Sequence, residues 1–581
     1  MAFGRWFIGL LLVLATSAAI AADGNWKLAT TPHYRLLSQA SERETTAWMR
    51  GFDQFILSTS DVLKMDLRSL PPLTIVLFDR DRDYAPYKLQ RPDGRTAAIS
   101  GQFIRWPTLS MMGMAHAGNS EELRRTIQHE AMHWLMSGSQ RRQPAWFAEG
   151  IAELFSTFER RGDKVNWAKP IEAHLILLNT TASMPLNELL VQPSAIFNRD
   201  DHTDRFYAQA WAFTHFLMAS NKPDRRQLLN EFLQQYQKQS GEATVQAVFG
   251  PKLKDIERDF RAYIAQRSFL YMIDPVKPAA APPPLQPAPP ALVEASLGLL
   301  ALGAKRQELA KQHALKSIEL DSEAFDGHAV LAYIALEKRD FDEAAVHAEA
   351  ALARGSKDSD LFMVMGDSYI DGRNSRKPEA KQLRVDMYEK AINLNPRRLA
   401  VYHQLVEALL MLDKPREEDA KFLDVGLQVF PDEDWLRVGV AFVDYRHGRR
   451  DVAMAALEET LRPESTLDGL QRTNATNLRR NWLAEAMNAE IEVVVRKRDF
   501  TEARVIVSRY RELIGAGSEM DPFIDELDRR LEMGELMIRF EQALLGRNFA
   551  EARALGEQLL ARPELPRQLR SYVEDGLRRI K

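Results

Sequence analysis

Two short motifs constrain this chain more than any other feature of its sequence: residues 129–133 read HEAMH, and residues 146–153 read WFAEGIAE. Side chains four positions apart lie on one face of an α-helix, so His129 and His133 can bind the same metal ion. The glutamate between them, Glu130, can take a proton from a metal-bound water. The second motif forms a second predicted helix with two more carboxylates. The sequence therefore predicts two neighbouring helices that hold a metal centre between them.

The third metal ligand is predicted on the second helix. Pro144 suits the start of that helix, because the N–H that proline lacks is not needed there. Glu149 and Glu153 lie one turn apart on one face, so either carboxylate can reach the metal. Gly150 lacks a side chain and is predicted to permit close approach of the two helices.

Together the motifs resemble the gluzincin superfamily of zinc peptidases, and most closely its peptidase MA-like branch. The resemblance implies a Zn²⁺ cofactor, a zincin-like fold and hydrolysis of peptide bonds. It also implies that Glu149 is the third ligand and that Glu153 accepts a hydrogen bond from a ligating histidine. The interval before Glu149 is shorter than in the best-known members, which leaves Glu153 as the alternative ligand. A second large group of zinc peptidases is excluded, because Met136 and Ser139 replace its Gly and its third His.

The same resemblance implies two further parts of an active site. Gluzincins often stabilise the oxyanion with a Tyr or His from a later helix, and Tyr207 is the predicted donor. His215 and His202 are the alternatives, and the rings of Tyr207 and His215 are equally compatible with simple packing in the core. A strand at the sheet edge before the first motif is expected to pair with extended substrate, and residues 101–106 occupy that place. They are equally compatible with an ordinary edge strand.

Residues 23–273 predict an α+β domain. Apolar, β-branched runs at residues 33–37 and 73–78, bounded by Pro and Asp, indicate strands. Between them, residues 42–63 have helical periodicity, and the pattern is helical again from Glu121 onward. A small sheet followed by helices is therefore expected, in agreement with the resemblance.

A proline-rich segment follows this domain. Residues 274–290 hold eight of the 28 prolines in the chain. Proline is excluded from helix and strand interiors, so residues 274–291 predict a semi-rigid, extended linker between two domains.

Residues 292–581 predict an all-α region with an internal repeat. One motif recurs three times: KRDFDEA at 338–344, KRDFTEA at 497–503 and GRNFAEA at 546–552. Helix-ending prolines at 396, 431 and 463 are 35 and 32 residues apart. A period near 34 residues resembles the tetratricopeptide repeat, which implies stacked helix pairs that bind peptides or partner proteins. The alternative is a helical bundle without repeats.

The N-terminus and the composition bear on where the protein acts. Residues 1–22 combine a positive start, a short apolar run and a small-x-small site, which predicts a signal peptide; an uncleaved anchor is the alternative. The chain has no Cys, which excludes disulfides, a lipid-attachment cysteine and thiol catalysis, and suits a bacterial periplasm. The formal net charge of -4 gives no basic surplus for nucleic acid. We therefore expect a periplasmic or secreted protein without a stable membrane span after cleavage.

Two functional hypotheses follow. The first is an exported zinc metallopeptidase, a hydrolase in which Glu130 activates water and Tyr207 stabilises the oxyanion, while the repeats recruit a peptide or protein. The second is a periplasmic tetratricopeptide scaffold or adaptor whose peptidase-like domain has little or no turnover.

Overall fold

The computed structural model describes residues 25–89, 99, 101–105, 110–116, 121–138, 142–191, 200–220, 222–237, 241–266, 269–463, 465–515, 517 and 520–580. The predicted signal peptide at 1–22 lies outside these residues, as does Trp106 at the end of the predicted edge strand. Within them, no helix combines the length and the apolar character needed to cross a membrane. The chain divides into two compact units, Met1–Leu412 with Gln428–Phe430, and Asp413–Leu427 with Pro431–Lys581.

Two sheets lie in the first unit. The strands in the described residues are β1 (Lys27–Thr30), β2 (Tyr34–Ser38), β3 (Leu73–Phe78), β4 (Gly101–Arg105), β5 (Ser110–Ala115), β6 (Glu159–Arg161), β7 (Lys164–Trp167), β8 (Met272–Pro275) and β9 (Gln286–Pro287). The larger sheet has the order β4-β5-β3-β2-β1-β9, and β6-β7-β8 form an antiparallel sheet. In the larger sheet β2, β3 and β5 are parallel, whereas β4 is antiparallel to β5 and lies at the edge. The predicted small sheet is therefore confirmed, with β4 as an edge strand.

Ten α-helices accompany the sheets in the described residues up to residue 266. They are α1 (Glu42–Leu63), α2 (Asp81–Tyr84), α3 (Glu121–Ser137), α4 (Ala145–Phe155), α5 (Glu172–Thr180), α6 (Leu186–Val191), α7 (Asp200–Met218), α8 (Pro223–Gln235), α9 (Gly241–Val248) and α10 (Leu253–Ile264). The start of α1 is fixed by a capping box between Ser41 and Glu44, which satisfies two backbone N–H groups at the helix end. The HEAMH motif lies on α3 and the WFAEGIAE motif on α4.

Both faces of the larger sheet are buried. Alternate strand residues point to opposite faces, so Leu36 and Ile75 pack in a core with α1, α3, α4 and α7. Their neighbours Leu37 and Val76 pack in a second core, against the first helices of the repeat region, where Leu300 is a member. The sheet thus lies between the motif-bearing helices and the first helices of the repeat region.

The proline-rich segment differs from the prediction of a linker. Residues 272–275 form β8, and Gln286–Pro287 pair with β1 at the sheet edge. Proline is tolerated at such edges because its missing N–H would face away from the ladder. Pro290 then begins the next helix, where that N–H is again not needed. The region after the prolines therefore shares a core with the sheet, and the division between compact units lies near Leu412 instead.

Beyond the sheets the described chain is helical, with tetratricopeptide-like helix pairs as predicted. The helices are α11 (Pro290–Gly303), α12 (Gln307–Leu320), α13 (Asp326–Glu337), α14 (Phe341–Ala353), α15 (Ser359–Asp371), α16 (Ala380–Leu394), α17 (Leu399–Leu410), α18 (Asp419–Val429), α19 (Asp434–Arg446), α20 (Arg450–Thr460), α21 (Gly469–Arg496), α22 (Phe500–Ile514), α23 (Asp521–Leu545), α24 (Phe549–Leu560) and α25 (Arg567–Arg579). In the first unit α11 packs with α12, α13 with α14 and α15 with α16. In the second unit α19 packs with α20, α21 with α22 and α23 with α24.

The recurring motif is the turn inside a helix pair. Its second residue has a positive φ in each copy: 59° at Arg339, 60° at Arg498 and 58° at Arg547. The next residue accepts a hydrogen bond from a backbone N–H three positions on: Asp340, Asp499 and Asn548. In each copy, a residue in the left-handed backbone conformation ends one helix, and a polar residue caps the start of the next. Together they reverse the direction of the chain within three residues. The recurring motif therefore encodes the turn between two paired helices.

Candidate metal centre

Three side chains from two helices meet at one point. His129 Nε2 and His133 Nε2, on α3, are 3.1 Å apart. Glu149 Oε2, on α4, lies 3.4 Å from His129 Nε2 and 3.3 Å from His133 Nε2. Of the residues that the structure describes, these alone bring three potential metal donors of the His, Cys, Asp and Glu types so close together.

This donor set fits a zinc ion. Three donors held at about 2.0–2.2 Å around a tetrahedral zinc lie roughly 3.3–3.5 Å from one another, close to the observed separations. Glu149 Oε2 is also buried and, among the described residues, accepts no well-formed hydrogen bond. A buried carboxylate oxygen without a donor is costly unless a cation satisfies it. Two imidazole nitrogens and one carboxylate oxygen are the ligands of known catalytic zinc sites.

Glu153 lies on the other side of His129. Its Oε1 is 3.3 Å from His129 Nδ1, so the carboxylate can hold the ring with Nε2 directed at Glu149. The second oxygen, Oε2, is 3.4 Å from Arg125 Nη2 and 3.3 Å from His174 Nε2. Glu149 therefore faces both Nε2 atoms, while Glu153 lies on the Nδ1 side of the His129 ring and can orient it.

Sequence reasoning missed Arg125 and His174. Arg125 lies four residues before His129 on α3, so helical spacing alone was a signal that it shares that face. His174 comes from α5, and no spacing in the sequence connects it to either motif.

The electrostatics keep the carboxylates ionised. Burial raises the pKa of Glu149, but the imidazoles of His129 and His133 outweigh this and lower it to about 2. Burial also raises the pKa of Glu153, but the rings of His129 and His174 outweigh this and hold that pKa well below the usual range. Burial would lower the pKa of His129, yet the two carboxylates raise it above the ordinary value. Without a metal the cluster is therefore a set of charge-paired groups, and the carboxylates are already in the form that binds metal.

Glu130 lies on α3, which packs against β4. The backbone N–H of Phe103 in β4 lies close to the Glu130 carboxylate and acts to lower its pKa. Burial raises the pKa of Glu130 above that of an ordinary glutamate. A carboxylate with a raised pKa is a better proton acceptor near neutral pH.

The structure separates the three candidates for the oxyanion donor. The Tyr207 ring centroid is 6.0 Å from that of His129, and its hydroxyl lies near the Glu149 carboxylate. Burial and the nearby carboxylates raise the pKa of Tyr207, so the hydroxyl keeps its proton at neutral pH. His202 lies in α7, but its side chain lies outside the described residues.

His215 is a core residue. Its Nδ1 is 2.6 Å from the Tyr263 hydroxyl and its Nε2 is 2.9 Å from the Ala168 carbonyl oxygen. The ring is fully buried, and burial lowers its pKa. Both nitrogens are therefore used within the core, and His215 does not belong to the metal cluster.

Gly150 permits a close helix approach, but the partner differs from the prediction. A Cβ at this position would lie 2.1 Å from Thr214 Oγ1 and 2.5 Å from the Ala210 carbonyl oxygen, both on α7. The close contact is thus between α4 and α7, and not between α4 and α3. This contact brings Tyr207 of α7 beside the ligand helix.

The two glutamates of α4 are expected to respond differently to mutation. Glu149→Ala should abolish tight zinc binding, because it removes one of three ligands. Glu153→Ala should retain zinc with an affinity reduced about 10- to 100-fold, as for other groups that orient a ligating histidine. Competition with a zinc chelator measures both affinities. The opposite order would identify Glu153 as the ligand.

Comparisons with known proteins place the chain in no family. No protein-family model matches the sequence, and no curated protein matches it. Among solved structures, the tetratricopeptide protein YrrB has a TM-score of 0.26 and 19% identity, over 32% of this chain and 91% of its own. PilF of Pseudomonas aeruginosa has a TM-score of 0.24 and 18% identity, over 41% of this chain and 97% of its own. Yeast Tom70 has a TM-score of 0.21 and 13% identity, over 79% of this chain and 82% of its own. Such low TM-scores carry no argument, so the tetratricopeptide-like description rests on the helix pairs and turns themselves.

Proposed function

We propose that this protein is a zinc-dependent metallopeptidase with a zincin-like catalytic region. The observation that carries the proposal is the cluster of His129, His133 and Glu149, whose three donors are separated by distances close to those between ligands of a tetrahedral zinc. Glu130 follows His129 in the chain, and its carboxylate lies near the backbone of β4. The resemblance of both motifs to gluzincins points to the same chemistry.

Each group has a separate role in the proposed peptide hydrolysis. Zinc, when bound, supplies Lewis acidity that lowers the pKa of water and polarises a carbonyl group. Glu130 takes the proton from the attacking water and passes it to the leaving amine. The Tyr207 hydroxyl donates a hydrogen bond to the carbonyl oxygen as negative charge develops there. Glu153 holds the ring of His129 in place.

The position of β4 supports an extended peptide as the substrate. Among the described strands it lies at the edge of the larger sheet and pairs with β5 alone. An edge strand can pair with the main chain of an extended peptide, which gives affinity without sequence specificity. Strand β4 packs against α3, the helix that carries Glu130 and both histidines, so a peptide paired with β4 would lie close to the proposed base and the proposed metal ligands.

The proposal is tested with purified, full-length mature protein. We expect one zinc ion per chain and cleavage of an unfolded protein substrate, with loss of cleavage after treatment with a chelator and recovery on addition of zinc. Mass spectrometry of a cleaved peptide library would then separate endopeptidase from exopeptidase activity. Protein that binds no zinc, or that binds zinc and cleaves neither peptides nor unfolded protein, would contradict the proposal.

A second candidate function is a protein-binding scaffold. The tetratricopeptide-like helix pairs favour it, together with apolar side chains that their helices leave exposed, such as Val346, which is 64% exposed, and Val505, which is 56% exposed. On this alternative the metal cluster has little or no turnover. Retention of the same partner proteins by the wild type and by Glu130→Gln, in the absence of any zinc-dependent cleavage, would favour the scaffold.

We place either function outside the cytoplasm, in the periplasm or the medium. The support is the predicted signal peptide at residues 1–22 and the absence of Cys. N-terminal sequencing of the exported protein checks the expected cleavage near Ala22.

A further inference from the structure

A buried hydrogen-bonded chain joins the first helix pair of the repeats to the sheet region. Glu294 Oε2, on α11, is 2.6 Å from His313 Nδ1, on α12. His313 Nε2 is in turn 3.0 Å from the hydroxyl of Tyr87. All three side chains are buried, with 3% to 4% of their surface exposed. Because an ionised carboxylate can only accept, it fixes the proton on Nδ1, and Nε2 accepts from the tyrosine when the ring is neutral.

The backbone beyond Tyr87 is attached to β4 through one side chain. Gln102 Nε2 donates to the Tyr87 carbonyl oxygen at 2.7 Å, and Gln102 Oε1 accepts from the Leu89 N–H at 3.1 Å. Gln102 is only 8% exposed, so water does not compete freely for these bonds. The backbone N–H of the next residue of β4, Phe103, lies close enough to Glu130 to lower the pKa of that carboxyl. The strand also packs against α3, the helix that carries Glu130. The hydrogen bonds therefore connect the repeats to β4, the strand beside the proposed base.

Packing reinforces the same connection. The last residue of α11, Gly303, approaches β4 so closely that a Cβ there would lie 2.4 Å from Ile104 Cδ1. Arg306, just after α11, donates from Nε to the Lys88 carbonyl oxygen at 3.4 Å. The end of the first repeat helix thus rests on the edge strand and on the segment that Gln102 holds.

We infer that the helix pair α11–α12 is part of the catalytic unit, and that Tyr87, His313 and Glu294 are positioning residues that hold β4 in place beside Glu130. The catalytic consequence rests on the proposed function: a β4 strand that is free to move would pair less well with substrate. The hydrogen-bonded chain itself stands independently of that function.

The test uses full-length, zinc-loaded protein and hydrogen–deuterium exchange. Tyr87→Phe removes the hydroxyl that meets His313 and keeps the ring against Phe78. We expect exchange of the β4 amides at residues 101–105 to become severalfold faster, while exchange in α7 and the zinc content stay unchanged. His313→Gln, a change within the repeats, should have the same effect on β4. With a cleavable peptide, KM should rise severalfold with little change in kcat, because binding by the strand is weakened.

Tyr84→Phe is the matched control. Tyr84 also packs on the ring of Phe78, but its hydroxyl is buried and, among the described residues, has no hydrogen-bond partner. It should leave exchange in β4 unchanged. Unaltered exchange of β4 in both Tyr87→Phe and His313→Gln would overturn the inference, as would equal acceleration throughout the first unit, which indicates general destabilisation. If Glu130→Gln leaves cleavage intact, the proposed function fails, whereas the exchange result still decides whether the repeats hold β4.

Discussion

Replacement of Glu130 by glutamine is expected to slow peptide hydrolysis by about 10²- to 10⁴-fold, the range for loss of a general base. Glutamine keeps the size of the side chain and one carbonyl oxygen, but it cannot accept a proton at neutral pH. The proposed zinc ligands His129, His133 and Glu149 are untouched. We therefore expect normal zinc content, measured on the same sample as the initial rate of cleavage.

Glu122→Gln is the control for this variant. Glu122 lies on the same helix, α3, and its side chain is exposed, so the substitution makes the same chemical change away from the cluster. Its activity should equal that of the wild type. Full activity in Glu130→Gln would refute Glu130 as the base.

Substitution of Gly150 by alanine is expected to destabilise the first unit strongly. The added Cβ would lie 2.5 Å from the Ala210 carbonyl oxygen, which is backbone and cannot rotate away. Forced overpacking of this kind costs about 1–3 kcal/mol, and sometimes more. Relief requires α4 to move away from α7, which displaces the adjacent Glu149, the proposed third ligand. Urea unfolding of the metal-free protein should therefore show a lower free energy of unfolding, and chelator competition should show weaker zinc binding.

Gly51→Ala provides the opposite case. Gly51 lies within α1, and no atom comes within 4 Å of a Cβ built there. Alanine should stabilise the helix by about 0.5–1 kcal/mol, since glycine loses more backbone entropy on folding. If Gly150→Ala unfolds at the same urea concentration as the wild type, then the close contact between α4 and α7 does not constrain the site.

Features encoded by local spacing were predictable from the sequence. The strand at residues 73–78 follows from its apolar, β-branched composition between Pro and Asp, and the helix at 42–63 follows from its periodicity. The structure has both with the same bounds. The four-residue spacing of His129 and His133 places both rings on one helix face whatever the surroundings. The repeated turn is equally local, because its backbone conformation and its cap lie within a few residues.

Features that depend on distant parts of the chain were not predictable. Gly150 signals a close approach, but its sequence does not say which helix approaches, and α7 lies about 60 residues further on. His174 reaches Glu153 from a helix without any motif. The linker predicted from the prolines was wrong for a related reason. Proline is excluded from helix and strand interiors, but sheet edges and the first turn of a helix tolerate it.

The second core, on the face of the sheet that carries Leu37 and Val76, has a consequence for how this architecture can be divided or inherited. A fragment that stops at residue 291 would leave that apolar surface bare to water and prone to self-association. The region that carries the proposed metal site therefore cannot be transferred to another protein, by recombination or by cloning, on its own. The first helix pairs of the repeat region would have to be included.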